Sequence, residues 1–326
     1  MTELIRLRPE VMMSSNEPRI ISLIASSTEI VHALGLGRFM VGRSHECDYP
    51  DSIASLPVCT GPKFRTDGSS YEIDQKVRAL VQEGLSVYRV DADIIEGLAP
   101  SHIITQDQCE VCAVSLRDIQ DAACELISSK PEIVSLKPDC LNDLWRDIEK
   151  VGDSLDAEKA AIELINSLKA RIEDIEKRAE AEASRRGTRV KVACIEWIDP
   201  IMAAGNWMPE LVELAGGENL FGIAGKHSPY MSWSEIIEKD PDVIIVTPCG
   251  FDNDRTLQEM HLLKEKEGFG ELSAVKHGRV VVADGNQYFN RPGPRLVESL
   301  EMMAEIFYPE KFDYGHKGKG WLTYGC

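Results

Sequence analysis

The stretch that most constrains the fold is a long, purely helical segment in the middle of a chain that otherwise alternates strand and helix. Ala157, Ala161, Leu164, Ile165, Leu168, Ile172 and Ile175 fall at helical spacing on one face, with Glu and Lys on the others. Over residues 156–184 this pattern predicts a rod of roughly 40 Å at 1.5 Å per residue. A flexible linker is rich in Gly, Ser or Pro; this one is not, so it reads as a stiff spine. On both sides of it short β-branched runs alternate with amphipathic stretches, which argues for parallel sheets covered by helices. The expected fold is therefore α/β: two Rossmann-like lobes with mostly parallel sheets, joined by a long helical spine. At 326 residues the chain can supply each lobe with its own core.

The pattern divides the chain into an N-terminal extension (1–18), an N-terminal lobe (19–141), the linking helix (142–187), a C-terminal lobe (188–306) and a tail (307–326). Strands are expected at 19–25, 39–42, 85–90, 102–105 and 133–136 in the first lobe. In the second they fall at 190–195, 243–247 and 280–283. An internal echo relates the lobes: DIIEGLAPSHII at 93–104 recurs, one residue shorter, as EIIEKDPDVII at 235–245. Each copy spells helix, proline turn and buried strand, and each strand ends in a cysteine-bearing turn, QDQCEVC at 106–112 and PCGF at 248–251. Such turns lie at the carboxyl edge of a parallel sheet, where open α/β folds bind their ligands.

Charge narrows the function. With 36 Lys and Arg against 54 Asp and Glu, the net charge of −18 argues against nucleic acid or an anionic membrane as partner. No apolar run is long enough for a secretory signal or a membrane span, so the protein is expected to be cytoplasmic, with no membrane insertion. Nine cysteines at irregular spacing fit reduced thiols better than a disulfide framework.

Several strings carry a resemblance. ASSTEI at 25–30, VGRS at 41–44 with DYP at 48–50, ELAGGEN at 213–219, and YF at 288–289 leading into 291–295 sit within the two-lobe, spine-joined pattern. Together they resemble the cobalamin and siderophore substrate-binding proteins of ABC importers, over residues 19–306. A narrower similarity, through SHECDYP, TQDQCEVC, PCGF and YFNRPGPR, is to a leaderless branch of cobalamin-binding proteins. The resemblance implies a non-catalytic protein that holds its ligand between the lobes. It also implies that one acid on each lobe, Asp93 and Glu235, docks onto arginines of an ABC permease. The positions of the aromatic residues that stack on the corrin in other cobalamin binders are taken here by Glu46, Gly61 and Gln106.

Three turns are expected to converge: His45 to Asp48, Cys109 with Cys112, and Cys249. Cysteine and histidine suit zinc or iron, and a Cx2C pair lets two thiolates share one ion. The pair is also compatible with inert thiols at a helix start, and less so with a redox couple whose thiolate is favoured there. His45 has Glu46 and Asp48 beside it to orient its ring; a plain hydrogen-bonding role is the alternative. Trp197, Trp207, Tyr230, Tyr288 and Phe289 suit either stacking on a flat ligand or packing beneath loops. Arg291 and Arg295 are candidate bidentate donors to ligand carboxylates or phosphates. The expected ligand is cobalamin or a related metal-containing macrocycle, held by His45, Glu46, Gln106, Trp197, Trp207, Tyr288, Phe289 and Arg291. The metal contacts would come from His45, Cys47, Cys109 and Cys112. The alternative is direct zinc or iron binding by those four residues. A thiol-dependent enzyme ranks third, because the chain has no G-x-S-x-G, Walker A or dinucleotide fingerprint.

Overall fold

The structure, a computed structural model, describes residues 17–82, 88–107 and 127–325. In the first lobe lie β1 (Ile20–Ser22), β2 (Met40–Arg43), β3 (Thr60–Pro62), β4 (Tyr88–Val90), β5 (His102–Gln106) and β6 (Glu132–Leu136). Four of them form a parallel sheet in the order β2-β1-β5-β6, while β3 and β4 pair antiparallel as a separate ribbon. The second lobe holds β7 (Val190–Trp197), β8 (Met202–Ala203), β9 (Gly217–Asn219), β10 (Val243–Val246), β11 (Val280–Ala283) and β12 (Trp321–Thr323). Its order is β12-β11-β10-β7-β8, with β9 also on β7; the central strands are parallel, and β8 and β12 run antiparallel.

Strand periodicity explains how both sheets are covered. Alternate side chains point to opposite faces, and both faces are apolar. On β1, Ile20 joins a core shared by both lobes, whereas Ile21 joins a cluster private to the first lobe with Ile95 and Ile103. On β7 and β10, Val192 and Ile245 face the shared core, and Ala193 and Ile244 face a cluster private to the second lobe. Strands buried on two faces read as continuous apolar runs, which is what VIIV at β10 and VVVA at β11 are.

The linking stretch 142–187 is two helices, Leu141–Ser154 and Glu158–Arg186, the second of which is the rod expected over 156–184. The chain turns between them at Asp156, which has a φ of 52°. Gly152 makes the close crossing possible: a Cβ there would lie 2.6 Å from the Cβ of Ala161. The longer helix buries Ala161, Ile165, Leu168, Ile172, Ile175, Ala179 and Ala183 in the shared core. Gly187, at a φ of 78°, closes it in the left-handed conformation.

The tail, which the sequence pattern does not place, belongs to the second lobe. Its β12 pairs with β11, and the Trp321 indole donates to Glu305 on helix Leu296–Phe307 at 2.7 Å. The segment 51–84, also unassigned by pattern, contains helix Ser70–Gln82.

One buried group works against the fold. On helix Leu141–Ser154, Asp147 accepts from the Lys137 backbone N–H at 3.3 Å, but its Oδ2 has no partner among the described residues. Burial pushes its pKa up to about 6. A carboxyl raised from its ordinary value contributes most below about pH 4, and that contribution is lost as pH rises through about 6. Asp147→Asn is therefore expected to stabilise the protein at pH 7.5 by up to about 3 kcal/mol, with little gain at pH 4. Paired thermal melts at the two pH values check this; equal shifts at both would contradict it.

Candidate ligand-binding cleft

The carboxyl ends of the two parallel sheets bear the candidate residues. After β2 the chain turns at Ser44 and presents His45, Glu46, Cys47 and Asp48. His45 is anchored from β3: its backbone N–H and its Nδ1 both meet the Thr60 hydroxyl oxygen, at 3.1 and 2.8 Å. Thr60 donates its own proton to Ser44 Oγ at 2.9 Å. Its oxygen is then an acceptor for Nδ1–H, and Nε2 faces Glu46 Oε1 at 3.9 Å. Burial, reinforced by the charge of Arg43, holds the His45 pKa below the ordinary histidine value, so the ring is neutral at pH 7. The side chain keeps 23% exposure. Glu46 accepts from the Tyr88 hydroxyl of β4 at 2.5 Å, and the Tyr88 ring meets the His45 ring edge-on at 5.0 Å.

Cys47 departs from the expected metal role. It is 1% exposed, sits in the shared core and accepts the Thr28 hydroxyl proton at 3.0 Å; burial pushes its thiol up to about 11. Gln106 ends β5, buried, with Ser26 Oγ 3.5 Å from its Oε1. Cys109 and Cys112 lie outside the described residues. Cys249 follows β10 and is half-buried. Among the described residues, no group of three or more His, Cys, Asp or Glu is arranged to hold a metal ion.

The aromatic candidates separate into two kinds. Trp207 and Phe289 are buried and belong to the core, where the Trp207 indole donates to the Phe289 carbonyl at 2.9 Å. Their place beneath the loops, rather than on them, removes them from ligand contact. Trp197 and Tyr288 stay half-exposed. Trp197 ends β7 and packs on Phe251 at 5.3 Å, with a buried Nε1–H that has no partner among the described residues. Tyr230 is 56% exposed.

Arg291 and Arg295 do not wait for ligand anions; they tie the lobes together. Arg291 grips Asp48 with two bonds, at 2.6 and 3.0 Å, and Asn286 and Gln287 donate to the same carboxylate. Burial raises the Asp48 carboxyl, but the bonds and charge of Arg291 outweigh it and hold the pKa below the usual value. Arg295 meets Glu29 of helix Ala25–Ala33 at 2.6 Å, with side chains 8% and 2% exposed. The Arg295 guanidinium also lies 3.8 Å over the Tyr49 ring. Glu29 and Asp48 escaped the sequence reading as lobe ties because their partners lie 266 and 243 residues away. Thr60 lies in a segment without clear periodicity, and the strand expected at 85–90 carries no sign that Tyr88 meets Glu46.

A groove of about 1010 Å³ opens elsewhere, lined by His102, Glu132, Arg146 and Lys150 among others. It sits at the amino ends of β5 and β6, opposite the edge where parallel sheets bind ligands.

A buried ion pair is costly to break from one side, because the remaining charge stays in the interior. Arg295→Met is expected to lower unfolding free energy by about 3 kcal/mol, and adding Glu29→Gln should restore part of the loss. Denaturant melts of the two single variants and the double variant check this; simple additivity would show that the pair is not coupled.

Comparison with known proteins agrees with this architecture. The periplasmic binding protein family model matches residues 20–286. The ABC transporter substrate-binding lipoprotein YvrC of Bacillus subtilis is 24% identical over 309 residues, covering 93% of this chain and 84% of its own length. A vitamin B12-binding protein of Vibrio vulnificus is 23% identical over 290 residues, 89% of each chain. Two solved structures share the fold. A periplasmic heme-binding protein from Pseudomonas aeruginosa has a TM-score of 0.67 at 21% identity, covering 90% and 94% of the two chains. The periplasmic vitamin B12-binding protein BtuF of Vibrio cholerae has 0.62 at 20%, covering 89% and 96%. These relatives overturn the cytoplasmic expectation: a lipoprotein and periplasmic proteins point to the extracytoplasmic side of the membrane. The chain belongs to the periplasmic binding protein family, the non-catalytic substrate-binding proteins of ABC importers.

Proposed function

We propose that the protein carries a metal-containing macrocycle, cobalamin or a close relative, between its lobes and delivers it to an ABC permease. The observation that carries the reading is His45. A neutral imidazole whose Nδ1–H is committed to Thr60 offers Nε2 as a donor, the arrangement that suits axial contact with a metal centre. Trp197 and Tyr288 would flank the ring, and Glu46 would meet its polar rim. The vitamin B12-binding relatives support the ligand class, as do the heme-binding and B12-binding fold neighbours. Direct zinc or iron binding is less well supported, since Cys47 is committed to the core and His45 is left without cysteine ligands among the described residues.

Asp93 and Glu235 are our candidate permease contacts. Both are exposed in the first turns of the two echoing helices, Ala92–Leu98 and Trp233–Lys239. Glu235 also closes a capping box with Ser232, at 2.8 Å to its N–H and 2.7 Å to its hydroxyl.

Native protein purified from cells supplied with cobalamin is expected to show a corrin spectrum and about one cobalt per chain. In His45→Ala the visible bands should shift and affinity should fall about tenfold or more. Zinc or iron without a corrin spectrum, lost in a Cys109→Ser/Cys112→Ser variant, would replace this reading with thiolate coordination.

A further inference from the structure

The excursion between β3 and β4 leaves the first sheet, and its contacts reach across to the other lobe. Its two ends hold the candidate ligand side chains, Thr60 bonding His45 and Tyr88 bonding Glu46. Its middle is fastened to the second lobe. At the start of helix Ser70–Gln82, the Ser70 N–H is bonded by both carboxylate oxygens of Glu259, at 2.9 and 3.2 Å. Arg255 holds that carboxylate at 2.5 Å and donates to the Gly68 carbonyl at 2.7 Å. About one turn further along, the Tyr230 hydroxyl meets Asp74 at 3.5 Å. Arg78, paired with Asp74 at 2.7 Å, lies 4.8 Å over the Tyr230 ring.

A carboxylate at a helix start satisfies free N–H groups and complements the helix dipole. Here it comes from a residue 189 positions away, in the opposite lobe. The helix is therefore fully capped only while the lobes are together. The second bridge between the lobes, Glu29 with Arg295 and Asp48 with Arg291, differs in character. It buries both arginines and the Glu29 carboxylate. The strap bridge buries Glu259 and Asp74 but otherwise rests on half-exposed Arg255 and exposed Arg78 and Tyr230. Opening it returns groups to water that are already partly hydrated, so it is the easier of the two to part.

We propose that residues 63–78 are the gate of the cleft, latched by Glu259, with the Glu29–Arg295 side remaining closed as the pivot. The proposal rests on the cleft being the ligand site, as argued above. Because the strap ends carry Thr60 and Tyr88, releasing the latch also loosens His45 and Glu46. Opening the cleft and disordering its ligand contacts become one event, and Glu259 acts as a positioning residue for side chains it does not touch.

Hydrogen–deuterium exchange on the ligand-free protein tests the gate without needing any ligand. Glu259→Ala is expected to raise exchange about tenfold in peptides covering 70–80, and more weakly at 44–48 and 60–62. Peptides from Glu158–Arg186 should be unchanged. Tyr230→Ala, at an exposed position that leaves folding intact, should raise the same peptides by less. Unchanged exchange at 70–80 in both variants, or a uniform rise that includes the spine, overturns the proposal. In a second arm with cyanocobalamin as probe, Glu259→Ala should release it about tenfold faster than wild type; equal release rates overturn the gate. If wild type does not bind cyanocobalamin, the cobalamin reading fails, and the exchange arm alone decides the gate.

Discussion

Both lobes bury side chains in one apolar cluster that runs through the two linking helices. The stripe from Ala161 to Ala183 belongs to a single apolar cluster that also contains Ile20 and Ile104 of the first sheet and Val192 and Ile245 of the second. Burying one such aliphatic side chain is worth about 1.5–3 kcal/mol, so the cluster sets the separation and orientation of the sheets far more firmly than any surface contact. The polar edges of those sheets are thereby held opposite each other. What remains adjustable is the rim of the cleft, where charges rather than methyl groups make the contacts.

The rim has a recurrent chemistry: an acid from one lobe satisfies donors of the other. Asp48 takes Arg291, Glu29 takes Arg295, and Glu259 takes the start of a first-lobe helix. Glu210 does the same for helix Leu141–Ser154, accepting the Leu141 N–H at 2.8 Å. For a chain with so many excess acids, this gives part of the negative charge a structural task. The arginines that a sequence reading assigns to a ligand are therefore committed to holding the lobes.

Periodic patterns made the architecture legible before any coordinates. Strands at β10 and β11, the helix Trp233–Lys239 and the buried stripe of the spine follow directly from apolar spacing. The break between Leu141–Ser154 and Glu158–Arg186 was hidden, because apolar spacing continues on both sides of it and only Gly152 and Asp156 mark the turn. Helix Ser70–Gln82 did carry a signal, the Ser69–Glu72 capping pair, whose N–H and carboxylate meet at 2.9 Å. The site was less legible. A loop histidine beside two acids points to His45, but the threonine that orients it is 15 residues away on another strand. Trp207 and Phe289 look like ligand aromatics because composition near a loop does not distinguish a residue on the loop from one beneath it.

The shared core also bears on how such a chain can change over generations. Each sheet has one private face and one face that belongs to the cluster running through the linking helices. A lobe transplanted from a relative would bring half of a jigsaw cut to a different partner, leaving voids and clashes along the spine. The heritable module is thus the whole two-lobed body. Novelty in ligand choice is free to arise only at the rim, where side chains can be exchanged without recutting the interior.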